Sequence, residues 1–349
     1  MGGDHAPREM VRGAALAARA LGVRVALVGR IDALEAEVGA LPAGDAAPAG
    51  SLSLVAAASV VEMKESPAQA VRAKKDASVV VACDLVASGR ARAAVSAGNS
   101  GATLAAALLS VHRLTGVARP AIGIVLPTAA GPAFMLDVGA NTDCRPEWLA
   151  QFAVMGSVYA EALLHVEQPR VALLSNGEER GKGSELVQAA TALLETAPVR
   201  FVGNVEGRDI FRGACDVVVC DGFSGNVALK VAEGVGEFLF AAIATEARRS
   251  VRGRLGGLLL RPRLRPLRDR LDYRRTGGAL LLGVAGEVVI AHGRSDALAV
   301  MNAIRVARDA AELDVSGTIA RRLAGTGATS GEDPAVNAPA PAEEATART

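Results

Sequence analysis

The chain has 349 residues, half of them hydrophobic, with aromatics at only 3% and a net charge of +1. That length buries one large core or two modest ones. A near-neutral balance with so few rings excludes a nucleic-acid binder, which needs a basic face or stacking surface.

Short β-branched runs alternate with longer alanine- and leucine-rich stretches. In chain order, strands are predicted at 23–29 (VRVALVG), 77–84 (ASVVVACD), 91–97 (ARAAVSA), 121–128 (AIGIVLPT), 132–139 (PAFMLDVG), 170–177 (RVALLSNG) and 216–222 (DVVVCDG). Periodic helices are predicted at 145–165 and 225–249. This alternation argues for an α/β layered fold with a mostly parallel sheet. Residues 40–50 read as an alanine–proline–glycine loop between an early helix and a strand. From residue 325 onward large apolar side chains all but vanish, so 325–349 is expected to be a disordered tail and 1–324 one domain.

Cys83, Cys144, Cys215 and Cys220 show neither a CxxC pair nor His/Cys ligand spacing. Cys83 and Cys220 read as small buried hydrophobes, and a reducing cytoplasm is the expected setting. No apolar run approaches the roughly 18 residues that cross a bilayer. No charged-then-apolar leader opens the sequence.

In open α/β sheets ligands bind beyond the carboxyl ends of the strands. Four loops there share a vocabulary of Gly, Asn, Asp and Ser: 96–101, 137–143, 175–183 and 221–226. Each precedes a helix, so all four are expected to aim free N–H groups and a positive dipole end at one sheet edge. Nucleotide motifs fail on spacing. Gly177 and Gly181 enclose three residues, Lys182 is followed by Gly183, and no GxGxxG opens a helix. Ser100 and Ser224 sit in GxSG, not the GxSxG of a serine hydrolase. His112 and His165 fall in or at the ends of helices, where surface or capping roles are expected; His5 and His292 lie in polar glycine turns and stay open. Asp137, Asp143, Glu178, Glu179 and Asp221 lack a calcium-loop array, so no metal is expected, with a divalent ion as the alternative.

Residues 248–275 carry eleven arginines against two aspartates, a net +9. Leu260, Leu264, Leu267 and Leu271 form one apolar helical stripe. Pro266 predicts a kink or two short helices. Leucines on so basic a stretch favour an anionic partner.

Taken together, GGDHAP (2–7), SAGNSGA (96–102), DVGAN (137–141), NGEERGKG (176–183), GNVEGRDIF (203–211), DGFSGN (221–226), GGALLLG (277–283) and HGRSDA (292–297) resemble the motifs of the PlsX family. They stand in family order and cover Gly2 to about Arg308. The resemblance implies a bacterial acyl-ACP:phosphate acyltransferase that turns fatty acyl-ACP and inorganic phosphate into acyl phosphate and free carrier. The product would feed phospholipid synthesis, without a cofactor. It also implies a three-layer α/β/α sandwich similar to the isocitrate/isopropylmalate dehydrogenase and phosphotransacetylase folds, a homodimer and peripheral membrane association. Two departures stand out. Serine replaces the usual threonine at Ser100 and Ser224, keeping the hydroxyl. The family's first apolar strand does not precede GGDHAP, which predicts an upstream start; without one, the sheet lacks a strand and the Asp4–His5 turn is poorly anchored.

Phosphate is already a nucleophile, so such a protein must bind the dianion, orient it and stabilise an oxyanion. Gly98, Asn99, Ser100 and Gly101 are the expected phosphate contacts, with Ser224 and Asn226 opposite. Lys182 would neutralise phosphate or meet the oxyanion. Asn141 and Asn176 are candidate amide donors, and His5 a proton donor to the thiol. Asp137 and Asp221 would orient their loops, and Glu178 joins them among the candidate substrate-site residues. Leu260, Arg261, Leu264, Arg265 and Arg268 would meet anionic lipid or the acidic carrier protein. The alternatives are a phosphotransacetylase using acyl-CoA and a non-catalytic membrane scaffold.

Overall fold

The computed structural model describes residues 1–325 except 272, 273, 275 and 276, with backbone alone at 266–271. The tail expected over 325–349 thus lies, from 326, outside the described residues. Helix α1 (Arg8–Leu21) and α2 (Ile31–Gly39) pack beside a separate parallel pair, β1 (Val25–Gly29) and β2 (Leu52–Ala56). Two helices, α3 (Pro67–Ala73) and α4 (Ser78–Ala87), lead into the main sheet.

That sheet has eight strands: β3 (Ala93–Ser96), β4 (Ala121–Thr128), β5 (Gly131–Leu136), β6 (Arg170–Ser175), β7 (Arg200–Glu206), β8 (Val217–Val219), β9 (Ala279–Leu282) and β10 (Glu287–Ile290). Their spatial order is β3-β10-β9-β4-β5-β8-β6-β7. Between them run α5 (Ser100–Ala106), α6 (Pro146–Leu163), α7 (Glu185–Leu194), α8 (Gly207–Ile210), α9 (Gly222–Arg248) and α10 (Val251–Leu271); α11 (Ala297–Glu312) and α12 (Val315–Ala324) follow β10.

Side chains alternate with the two-residue period of a strand. Phe134, Leu136, Val217, Val219, Leu280 and Leu282 face α6, α7, α11 and α12. Met135, Val138, Val218 and Leu281 face α4, α5 and the start of α9. Helices cover both faces of the sheet, giving three layers.

The strands at the two ends of the sheet pair in parallel, but the middle ones do not: β10–β9, β9–β4 and β4–β5 are antiparallel. A two-residue turn joins β4 to β5, with Gly131 at φ +130° and the Thr128 hydroxyl donating to its carbonyl at 2.6 Å. This reversal corrects the expectation of one shared edge. The loops after β5, β6 and β8 leave one edge of the sheet, and the loop after β3 leaves the other, together with the turn after β10.

Two local expectations are also corrected. Residues 77–84 belong to α4, not a strand. Val80, Cys83 and Val86, spaced by three, are all buried on one face, so the apolar run satisfies a helix. Helix α10 continues through Pro262 and Pro266. Of the two outcomes expected at Pro266, this rules out the two separate helices; each proline removes one N–H from the ladder and crowds the carbonyl four residues back, which bends a helix without having to end it.

Candidate active site

Loop 97–101 is built around Asn99. Its Oδ1 accepts from Ala102 N at 3.0 Å, capping α5, and its Nδ2 donates to the carbonyls of Glu62 (3.4 Å) and Met63 (3.3 Å). The amide is engaged at both ends and holds the 62–63 loop against the helix. What remains open is backbone. The N–H groups of Asn99, Ser100 and Gly101 find no acceptor among the described residues. Ser100 is exposed beside them.

Two other glycine turns close on this loop. Gly2 lies so near Gly98 that a Cβ on Gly2 would stand 3.1 Å from Gly98 Cα. Asp4 N donates to the Gly293 carbonyl at 2.9 Å, which ties the Asp4–His5 turn to the turn after β10. His5 is exposed. His292, in the turn after β10, accepts from Arg294 N through Nδ1 at 3.1 Å. Burial, with Lys230 and Arg294 nearby, holds its pKa below the ordinary histidine value. His292 has no role among those implied by the resemblance, although it opens the HGRSDA motif and lies in a polar, glycine-bearing turn.

On the opposite edge, Asp137 is 0% exposed. Its carboxylate accepts from Ile122 N (3.1 Å), Gly139 N (3.1 Å), Ala140 N (3.0 Å), Asn141 N (2.7 Å) and Asn141 Nδ2 (2.9 Å). Burial raises its pKa, opposed by these bonds. With no surface, Asp137 cannot be a substrate contact; it shapes the loop. Asn141 is corrected likewise. Its Nδ2 donates to the Pro120 carbonyl at 2.8 Å and to Asp137, leaving no amide donor for a thioester carbonyl.

The first turn of α9 packs directly on this loop. Asp221 Oδ1 caps the helix, accepting from Ser224 N at 2.8 Å, and Gly222 N donates to the Asn141 carbonyl at 2.7 Å. A Cβ on Gly225 would fall 1.9 Å from the Asp137 carbonyl oxygen, so only glycine permits the approach. The Ser224 hydroxyl makes no hydrogen bond among the described residues, and Asn226 is exposed.

The loop after β6 is more open. Asn176 Oδ1 accepts from Gly183 N at 2.9 Å, which leaves its NH2 group available. Glu178 and Lys182 are exposed, and Lys182 makes no ion pair among the described residues. Nor do three His, Cys, Asp or Glu side chains gather anywhere among the described residues as a metal would require.

Strands β9 and β10 between the two edges have only four residues each, about 13 Å of strand. Helix α9 links the two edges. It starts at Asp221 on one edge, and by Lys230 and Glu233 its charges act on His292 on the other.

The hairpin of α9 and α10 presents a broad apolar surface. Phe223, Val227, Val231, Phe238 and Leu239 on α9 are exposed, as are Leu255, Leu258, Leu259 and Leu260 on α10. Arg261 and Arg265 are exposed beside them and Leu264 is half-buried; the Arg268 side chain lies outside those described. No helix among the described residues is long and apolar enough to cross a membrane.

The layered fold with helix-start loops at both sheet edges is that of the phosphotransacetylases. The structure matches the EutD phosphotransacetylase from Staphylococcus aureus with a TM-score of 0.59 at 17% identity, over 87% of this chain and 91% of that one. A phosphotransacetylase from Streptococcus pyogenes matches with a TM-score of 0.56 at 16% identity, over 91% and 92%. The chain belongs to the family described as fatty acid synthesis protein, whose model matches residues 1–318. Curated relatives agree. The chain is 51% identical to the phosphate acyltransferase of Heliobacterium modesticaldum over 93% of this chain and 96% of that protein, and 50% identical to the phosphate acyltransferase of Pelotomaculum thermopropionicum over 89% and 90%.

Proposed function

We propose that this chain moves a fatty acyl group from the thioester of acyl carrier protein to inorganic phosphate, releasing acyl phosphate and free carrier for phosphatidic acid synthesis. The observation that carries this reading is the open backbone N–H row at Asn99–Gly101, in a chain whose relatives are phosphate acyltransferases. Such donors at a helix start suit a phosphate dianion without further chemistry.

In this reading a phosphate oxygen attacks the thioester carbon. A C–O bond forms, the C–S bond breaks, and the leaving sulfur takes a proton, for which exposed His5 is the candidate donor. Lys182 and the free NH2 of Asn176 meet the oxyanion, worth most where water is excluded. Ser224 and Asn226 stand at the start of the helix that joins the two loop groups.

The basic, leucine-bearing α10 supports docking on an anionic membrane or on the acidic carrier, and the apolar face of α9 supports pairing with a second copy. Vesicle sedimentation checks the membrane part. Binding confined to anionic vesicles and weakened by salt is expected; equal, salt-insensitive binding to zwitterionic vesicles contradicts it. For the reaction, equal amounts of palmitoyl carrier protein and palmitoyl-CoA are compared with phosphate in excess. Preference for the carrier supports the proposal, preference for CoA makes the chain a phosphotransacylase of CoA esters, and no acyl phosphate from either favours a scaffold.

A further inference from the structure

The loop after β6 lies over two oxygens that it does not use. Ser175 ends β6, and β7 runs parallel to it with Asn204 opposite Leu173 and Glu206 opposite Ser175. Residues two apart on a strand share a face, so Ser175 and Asn204 both point to the side where Leu173 packs under α6 and α7. The Ser175 hydroxyl oxygen and Asn204 Oδ1 are the only buried side-chain oxygens or nitrogens without a hydrogen-bond partner among the described residues. Loop 176–183 covers them. A Cβ on Gly183 would stand 3.1 Å from Ser175 Oγ, and Asn204 Nδ2 donates to the Glu179 carbonyl at 3.2 Å.

Above them the loop has the complementary shortage. The N–H groups of Glu178, Glu179, Arg180 and Gly181 find no acceptor among the described residues. A buried hydroxyl or amide oxygen without a partner is costly, and folds rarely leave one. Unused acceptors beneath unused donors mark a loop held short of its best hydrogen bonding. That loop has the freedom to move, since it carries Gly177, Gly181 and Gly183, the last at φ +97°. It also has a cation to deliver. A Cβ on Gly177 would fall 2.7 Å from Lys182 Cγ and 2.8 Å from Glu179 Oε2, so the lysine stem lies folded back on its own loop beside a carboxylate.

We propose that Ser175 and Asn204 are positioning residues: when phosphate binds, loop 176–183 settles onto the Ser175 hydroxyl and Asn204 Oδ1, and this second seating fixes Asn176 and Lys182 for the reaction. The inference rests on the reading of this chain as a phosphate acyltransferase. The dianion shifts the loop through Lys182, which it meets fully only once the stem has swung off Gly177. The two oxygens gain partners only in the closed arrangement, so they strengthen whatever binds there.

Limited trypsin digestion of the full chain, read by mass spectrometry at the Arg180 and Lys182 bonds, tests it with inorganic phosphate against chloride at equal ionic strength. Phosphate should slow both cuts about fivefold or more in the parent and about twofold at most in Ser175→Ala. The variant should melt no lower than the parent, because it loses an oxygen that has no partner before the loop closes. Its kcat/KM for phosphate should fall about tenfold, the worth of one hydrogen bond gained on closing, with KM for the acyl carrier unchanged. A hydroxyl that only supported the fold would lower the melting temperature instead. Cutting in the parent that ignores phosphate, Ser175→Ala equal to the parent in both protection and turnover, or a lower melting temperature in that variant would overturn the proposal. Acyl phosphate formed without protection leaves the reaction standing and removes the seating; protection without acyl phosphate does the opposite.

Discussion

The loops after β5 and β6 leave the same edge of the sheet and use the same few residue types, yet they are built in opposite ways. In the first, the Asp137 carboxylate gathers four backbone N–H groups and the Asn141 amide, so neither of those two side chains has a donor or a carboxylate left for a substrate. In the second, Lys182 stands exposed, Asn176 keeps an open NH2, and the Ser175 hydroxyl beneath is buried without a partner. A loop whose hydrogen bonds close on themselves is scaffold. A loop with donors to spare keeps groups available for a ligand, which is why the proposed chemistry is assigned to it.

The sharpest way to break this contrast is to exchange the two outcomes. Asp137→Ala strands four buried donors and should cost about 3–5 kcal/mol of stability, seen as a much lower urea midpoint. A stable Asp137→Ala protein would show that the closed loop is not scaffold. Lys182→Ala should do the reverse, cutting acyl-phosphate turnover about a hundredfold, near 2.7 kcal/mol, with stability within about 0.5 kcal/mol of the parent.

Asn141 and Asn176 then make a matched pair. Asn176→Ala should lower turnover about tenfold at unchanged stability, a partial oxyanion contact. Asn141→Ala should lower stability by about 1–3 kcal/mol, because it leaves the Pro120 carbonyl and Asp137 without a partner. Equal behaviour of the two variants would dissolve the distinction.

The smallest effect concerns pH. Burial raises the folded pKa of Asp137 above the ordinary aspartate value of 3.8, so the folded chain holds this proton more tightly than the unfolded chain. Stability from this group is full below 3.8 and is lost as pH rises through the folded value. Asp137→Asn lacks that loss, so the stability gap between parent and variant should narrow as pH rises above 3.8. A gap that widens reverses the sign and makes the hydrogen bonds, not burial, dominant.

Much of this was legible in the chain. The strand runs 121–128 and 170–177 and the helix over 145–165 carry plain periodic signals, and the glycine loops mark themselves by composition. Strand direction does not. Residues 277–283 and 287–290 are too short to announce the antiparallel β9 and the parallel β10, so the split of the loops between two edges had no sequence signal. Residues 77–84 misled because a run of valines fits a buried helix as well as a strand. Asn141 misled for another reason. An amide in a loop reads the same whether it faces substrate or a carboxylate brought to it by the fold, and Asp137 stands only four residues away.

The central claim is tested most directly by incubating the full chain with palmitoyl carrier protein and labelled phosphate and trapping the product with hydroxylamine. The account predicts phosphate-dependent palmitoyl hydroxamate from the parent and about a hundredth of that rate from Lys182→Ala. No trapped product from the parent, or the parent's rate from Lys182→Ala, would contradict it.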